Sequence, residues 1–149
     1  MTHVYSGQCP CKSTTVEVQL PRALQTYSPR SCTCEFCQAH DGTYLSDPEG
    51  SMVIHSVRSL KTRYQGDEIA QMIHCADCDA LISAAIENDV GLLGNVRVSL
   101  LANISELEPV TMIAPQTLSA DEKRVRWGSL WMKLTIANTA SGSTAVTHQ

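Results

Sequence analysis

Aromatic side chains are scarce in this chain: one phenylalanine, two tryptophans and four tyrosines make up 5% of 149 residues. The core of a domain this size must therefore be assembled from Val, Ile, Leu, Met and Ala. Charge is sparse as well, at 17% of residues, and basic charge is the minority, with 11 Lys and Arg against 15 Asp and Glu. Binding to nucleic acid leans on clustered Lys and Arg, so this acidic balance argues against it. The one dense basic run, Lys123-Arg124-Val125-Arg126, reads first as a solvated helix face and second as a phosphate or partner patch. No stretch approaches the roughly 18 consecutive apolar residues of a membrane span. The opening Met1-Thr2-His3-Val4-Tyr5 lacks a basic segment leading into an apolar one, so no signal peptide is visible. The expected location is the cytoplasm, where thiols stay reduced. There is no Gly-x-Gly-x-x-Gly, no Walker loop and no internal repeat, which removes the common phosphate-cradling folds and the solenoids.

What the chain does have is cysteine, and all of it is grouped. Ser31-Cys32-Thr33-Cys34-Glu35-Phe36-Cys37 places three thiols within six residues. The other four form two close pairs, Cys9-Pro10-Cys11 and Cys75-Ala76-Asp77-Cys78. An odd total of seven in a reducing compartment argues against a disulfide framework. A closed structural zinc site uses four protein ligands in a tetrahedron. The two outer pairs supply one such set, Cys9, Cys11, Cys75 and Cys78. The triplet Cys32, Cys34 and Cys37 supplies three ligands and leaves a fourth position for water, a substrate thiol or a local donor. His40, three residues after Cys37, is the local candidate, and its binding would close the site.

Between these groups the pattern is that of strands. Thr14–Leu20 alternates, with Val16, Val18 and Leu20 on one face, and Pro21 ends it. Met52–Val57, Leu60–Tyr64, Ile69–His74, Ala80–Ile86 and Asn95–Leu101 are further strand candidates, with a turn over Gly91–Gly94. Short strands punctuated by turns predict a mainly β domain of antiparallel strands over 1–137. One helix is expected near the end. Ser119 and Glu122 have capping-box spacing, and Trp127, Leu130, Trp131 and Leu134 follow helical periodicity. The tryptophans read as core anchors before they read as a ligand cage. The Ser/Thr/Ala/Gly-rich residues 138–149 are expected to form a flexible tail.

Holding Cys11 near Cys75 closes a long loop, at an entropic cost on the order of 4 kcal/mol. Structural zinc offers about 10–16 kcal/mol of apparent binding energy, so metal can clasp the N-terminal strand region to the middle of the chain. Four buried reduced cysteines, or a redox pair at Cys75 and Cys78, account less well for the paired spacing. The triplet is the chemically open site. A three-thiolate zinc is a soft, weak Lewis acid that suits sulfur ligands. It deprotonates an incoming thiol at neutral pH, and that thiolate can attack an aldehyde carbonyl.

The order Gly7-x-Cys9-x-Cys11, then Cys32-x-Cys34-x-x-Cys37, then Cys75-x-x-Cys78 resembles the glutathione-dependent formaldehyde-activating enzyme family, which also includes centromere protein V. Ser46-Asp47-Pro48-x-Gly50 and Arg63-Tyr64 support the resemblance, which covers roughly residues 3–135. It implies a mainly β, tent-like fold with two zinc ions. One is structural, on Cys9, Cys11, Cys75 and Cys78. The other is catalytic, on Cys32, Cys34 and Cys37. The implied activity is that of a carbon–sulfur lyase written in reverse, in which glutathione and formaldehyde condense to S-hydroxymethylglutathione. The implied partners are a small thiol and a small aldehyde. A zinc-stabilised binding module without turnover is the alternative. The sequence departs from the family pattern in two respects. Gln38 and Ala39 stand where many members carry basic residues, and Lys12 and Asp79 stand where many have glycine. Arg30, Lys61, Arg63 and Arg97 are the candidates to replace the missing positive charge.

Overall fold

A computed structural model describes residues 2–64 and 69–138. The chain runs through β1 (His3–Gln8), β2 (Thr14–Leu20), β3 (Arg30–Cys32), α1 (Glu35–Ala39), β4 (Thr43–Leu45), β5 (Ser51–Ser56) and β6 (Lys61–Tyr64). It continues with β7 (Gln71–His74), β8 (Leu81–Asn88), β9 (Gly91–Gly94), β10 (Val96–Arg97), β11 (Thr111–Ile113), α2 (Ala120–Leu130) and β12 (Met132–Asn138). The protein is mainly β. Eight strands form one sheet in the order β1-β2-β5-β12-β9-β8-β7-β6, and four form a smaller one in the order β10-β4-β3-β11.

The main core follows from simple alternation. Val16, Val18 and Leu20 of β2 are buried while Glu17 and Gln19 face solvent. In the register Val16↔Ile54 and Val18↔Met52, β5 presents its own buried set directly opposite. Each such aliphatic side chain contributes about 1.5–3 kcal/mol by leaving water. The strand β8 is buried on both faces from Leu81 to Ile86 and apolar there except at Ser83. Ile82 and Ala85 join the main core, whereas Leu81, Ala84 and Ile86 join a second cluster with Tyr44, Trp131, Cys32 and Cys37. The cysteine triplet therefore sits on the far side of the large sheet, beneath α2.

Four expectations are corrected. The sheets are not purely antiparallel, because β12 runs parallel to β5 and β11 parallel to β3. Side-chain alternation encodes which face is buried, not the direction of a partner strand. Gly91–Gly94 is a strand, with Leu92 and Leu93 buried, and the reversal falls on Asp89 and Val90 before it. Only Gly91, at φ 120°, is required by the turn. Asn95–Leu101 is a two-residue strand followed by a 3-10 turn over Val98–Leu100. The C-terminal helix starts as expected, with the Ser119–Glu122 capping box formed, but it stops at Leu130. Leu134 lies in β12, where Met132, Leu134 and Ile136 alternate into the core. A spacing of 127, 130, 131, 134 fits a helix, but the backbone hydrogen bonds offered by β5 and β9 outweigh it. β1 and α1, unassigned in the sequence reading, flank the two cysteine groups. The tail expected over 138–149 lies almost wholly outside the described residues. No helix among the described residues is long and apolar enough to cross a membrane.

Candidate metal centres

The two outer cysteine pairs occupy hairpin turns. Cys9 and Cys11 sit between β1 and β2, where the Cys9 N–H donates to Thr14 O at 3.0 Å and Lys12 N–H donates to Cys9 O at 2.9 Å. Cys75 and Cys78 sit between β7 and β8, closed by Cys75 N–H to Ala80 O and Asp79 N–H to Cys75 O. The residue leaving each turn, Lys12 at φ 67° and Asp79 at φ 63°, is left-handed. That conformation favours glycine, which explains why glycine suits both positions.

These hairpins belong to opposite ends of the large sheet, yet their four sulfurs lie within 4.8 Å of one another. Cys11 Sγ is 3.6 Å from both Cys9 Sγ and Cys75 Sγ. A tetrahedron with metal–sulfur bonds of about 2.3 Å has edges of about 3.8 Å. All seven cysteines are free thiols. The four-sulfur set therefore fits a closed tetrahedral metal site in both chemistry and size. Ser13 Oγ lies 3.1 Å from Cys11 Sγ and 3.2 Å from Cys75 Sγ, placed to donate to a thiolate. Burial pushes the Cys75 thiol up, but hydrogen bonds led by that of Ser13 outweigh it and bring it to about 6.

The triplet is built differently. Cys32 ends β3, Cys34 is the N-cap of α1, and Cys37 lies one turn into that helix. Cys32 Sγ is 3.3 Å from Cys34 Sγ, and Cys34 Sγ accepts the Cys37 N–H at 3.4 Å. The three sulfurs also lie within 4.8 Å of one another. Tyr44 Oη is 3.1 Å from Cys37 Sγ, and burial pushes the Tyr44 phenol up, so it stays neutral and can donate to sulfur. Hydrogen bonding from Cys37, then from the Cys34 backbone and side chain, with a smaller contribution from the positive charge of Lys123, brings the Cys32 thiol down to about 6 despite burial. Lys123 is itself buried, on the face of α2 that covers the triplet. The solvated-face reading of residues 123–126 is thus correct for Arg124, which pairs with Asp121 at 3.2 Å, and not for Lys123.

Gly42 is a residue the sequence reading missed. Its N–H donates to Cys37 O at 2.6 Å and its carbonyl accepts the Cys32 N–H at 3.1 Å. A Cβ there would stand 2.5 Å from Cys37 Cβ. Gly42→Ala is expected to shift Cys37 out of place, costing about 1–3 kcal/mol as overpacking does. A thermal melt and metal content should show a lower midpoint and a weakened triplet site, with the four-cysteine site unaffected.

His40 does not join the triplet. Its Nδ1 is 2.9 Å from Phe36 O, its ring stacks on Phe36 at 4.2 Å, and the triplet cluster contains no histidine. Open space lies beside the triplet instead. Cys32 and Cys37 help to line a cavity of about 560 Å³, together with Arg30, Arg126, Trp127 and Trp131. Lys123 and all three cysteines line a smaller one of about 210 Å³. The basic candidates divide clearly. Lys61 and Arg63 pair with Asp79 near the four-cysteine set, at 3.8 and 2.8 Å, and Arg97 bonds Leu81 O and Asp41. Arg30 alone of the four lines the large cavity.

Fold and side chains together define a mainly β protein with two cysteine clusters able to hold metal ions, one closed and one facing a cavity. No protein-family model matches the chain, and no curated protein matches it. Among solved structures, the crystal structure of a Rhodobacter sphaeroides protein, a structural-genomics target, is similar over 66% of this chain and 88% of that chain. The identity is 20% and the TM-score 0.48.

Proposed function

We propose that the protein is a zinc-dependent, carbon–sulfur lyase-like protein of the kind represented by S-(hydroxymethyl)glutathione synthase, acting on a small thiol and a small aldehyde. Cys9, Cys11, Cys75 and Cys78 hold a structural zinc, and Cys32, Cys34 and Cys37 hold a second. The observation that carries this reading is the difference between the two sets: four sulfurs from two hairpins converge on one point, whereas three form part of the wall of the smaller cavity, and two of them, Cys32 and Cys37, also line the larger. Bound at the triplet, zinc would supply the acidity that turns an incoming thiol into a thiolate at neutral pH. The chain's own residues do the rest. Tyr44 holds Cys37 through its hydroxyl, α1 fixes the Cys34–Cys37 spacing, and Lys123 offsets negative charge beside Cys32. The surrounding cavity, walled by Trp127, Trp131 and Met72, limits water around the reacting carbon. In the reaction the sulfur–carbon bond forms as the carbonyl π bond breaks, and the thiol proton ends on the new hydroxyl oxygen. A cytoplasmic location suits seven free thiols.

The deep burial of Cys32 and Cys37 favours the second reading, a zinc-stabilised binding module without turnover. Two-dimensional exchange NMR of glutathione, formaldehyde and their adduct separates the two. The zinc-loaded protein is expected to raise the exchange rate well above background, and chelation to remove the increase. An unchanged rate with both zinc ions confirmed present would overturn the enzymatic reading for this pair of substrates.

A further inference from the structure

The large cavity carries an electrostatic feature that the triplet does not explain. Arg30, at the start of β3, and Arg126, on α2, both line it, and both also line an outer groove beside α2. Among the described residues neither guanidinium has a carboxylate within 4.0 Å, although acids are close by in both spaces. Those acids are engaged elsewhere or stand apart. Asp47 accepts from Tyr27 Oη at 2.7 Å and from the Glu49 N–H, and it faces Arg22 at 4.0 Å. Asp121 pairs with Arg124, Glu122 accepts the Ser119 N–H in the capping box, and Glu49 pairs with neither arginine. Arg22 is the third arginine of the cavity and is likewise occupied, lying 4.4 Å from the centre of the Tyr27 ring.

Two arginines converging without a counter-charge repel one another, and Arg30 is half-buried, which adds a desolvation cost. Such an arrangement persists when an anion bridges it, because guanidinium groups bind carboxylates through paired N–H donors. The wall beside them is apolar and aromatic. Trp127 and Trp131 stack with centroids 4.8 Å apart at 9°, next to Leu130 and Ile113. We infer that Arg30 and Arg126 form a carboxylate-binding subsite, and that the cavity takes a small organic acid whose apolar or aromatic body lies along the tryptophans. The subsite stands on its own geometry, and it also sets what kind of thiol would reach the triplet: one carrying an acid group at the far end of an apolar body.

Trp127 and Trp131 are the two tryptophans of the chain, so intrinsic fluorescence reports this cavity. The zinc-loaded protein is titrated with 3-phenylpropanoate, 3-phenylpropanamide, 2-mercapto-3-phenylpropanoate and inorganic phosphate. The acid is expected to give a saturable change and to bind at least tenfold more tightly than its neutral amide. Arg126→Gln, an exposed helix position, should erase that preference, and Arg30→Gln should do the same. Arg124→Gln, equally exposed and paired with Asp121, should leave it intact. Equal affinities for acid and amide, acid affinity within twofold after Arg126→Gln, or tighter binding of phosphate than of the acid would each overturn the subsite. The mercapto acid tests the triplet separately. If it binds no better than 3-phenylpropanoate while the acid preference stands, the thiol reading fails and the subsite survives.

Discussion

Replacing Cys75 with serine is expected to give insoluble protein, or soluble protein that has lost the four-cysteine metal and its cooperative melt. Cys75 is fully buried at the exit of β7, and its sulfur is 3.6 Å from Cys11 on the far hairpin. The β1–β2 hairpin is at one edge of the sheet and β7–β8 towards the other, so a metal on the four sulfurs would link elements that the strand order keeps apart. Structural zinc contributes about 10–16 kcal/mol of apparent binding energy. A whole domain is stable by only about 5–15 kcal/mol. Loss of one thiolate in four weakens the clip by an amount comparable with the total, which is why partial unfolding rather than a modest melting shift is the expected result. Chelation, or acid that protonates the thiolates, should bring the wild-type protein to the same state. The checks are solubility, zinc per chain by elemental analysis, and a thermal melt. A soluble, metal-replete Cys75→Ser protein with an unshifted melt would show that these four cysteines are merely packed together.

The two cysteine groupings were legible because residues that gather around one point write their spacing directly into sequence. A pair of cysteines one or two residues apart readily presents both sulfurs from a turn, and both outer pairs do occupy turns. The strand content was legible where one face is buried and the other wet, as in β2 and β5. It was also legible in β8 as an unbroken apolar run, but not in β9, where burial of Leu92 and Leu93 removes the alternation, nor in β3 and β11, which are too short to show a period. The end of α2 was misread because Trp131 packs against Trp127 as a helical neighbour would, although its own backbone is already extended. The walls of the cavity could not be assembled from sequence. Arg30 comes from β3, Tyr44 from β4, and Arg126 and Trp131 from the end of α2, and only the fold brings these segments to the triplet. Gly42 carried a weak signal, a glycine five residues past the last triplet cysteine, but its reason is a backbone approach that sequence does not reveal.

Cys34→Ser is expected to remove the second metal and the thiol–aldehyde exchange while leaving the fold in place. Cys34 is the N-cap of α1, with extended backbone at φ −67° and ψ 156°, and its sulfur accepts the Cys37 N–H. Serine is among the best N-cap residues, and its hydroxyl oxygen can accept that same N–H. The substitution therefore keeps the helix start and exchanges one thiolate for a hydroxyl, a poor ligand for a soft site. Cys34 is also less buried than Cys32 and Cys37, so little packing is lost. Two sulfurs remain, one fewer than the least that holds a catalytic zinc. Zinc should fall from two ions per chain to one, and the melting midpoint should move by no more than a few degrees. Exchange between glutathione, formaldehyde and their adduct should return to the uncatalysed rate. The comparison with Cys75→Ser is what gives the result its meaning. If Cys34→Ser unfolds the protein as Cys75→Ser does, both clusters are clips and the cavity beside the triplet serves binding alone. If it keeps the fold and the second zinc but loses exchange, Cys34 acts on the substrate rather than on the metal. If it keeps the fold, loses one zinc and loses exchange, the closed cluster holds the protein together and the open one does its chemistry.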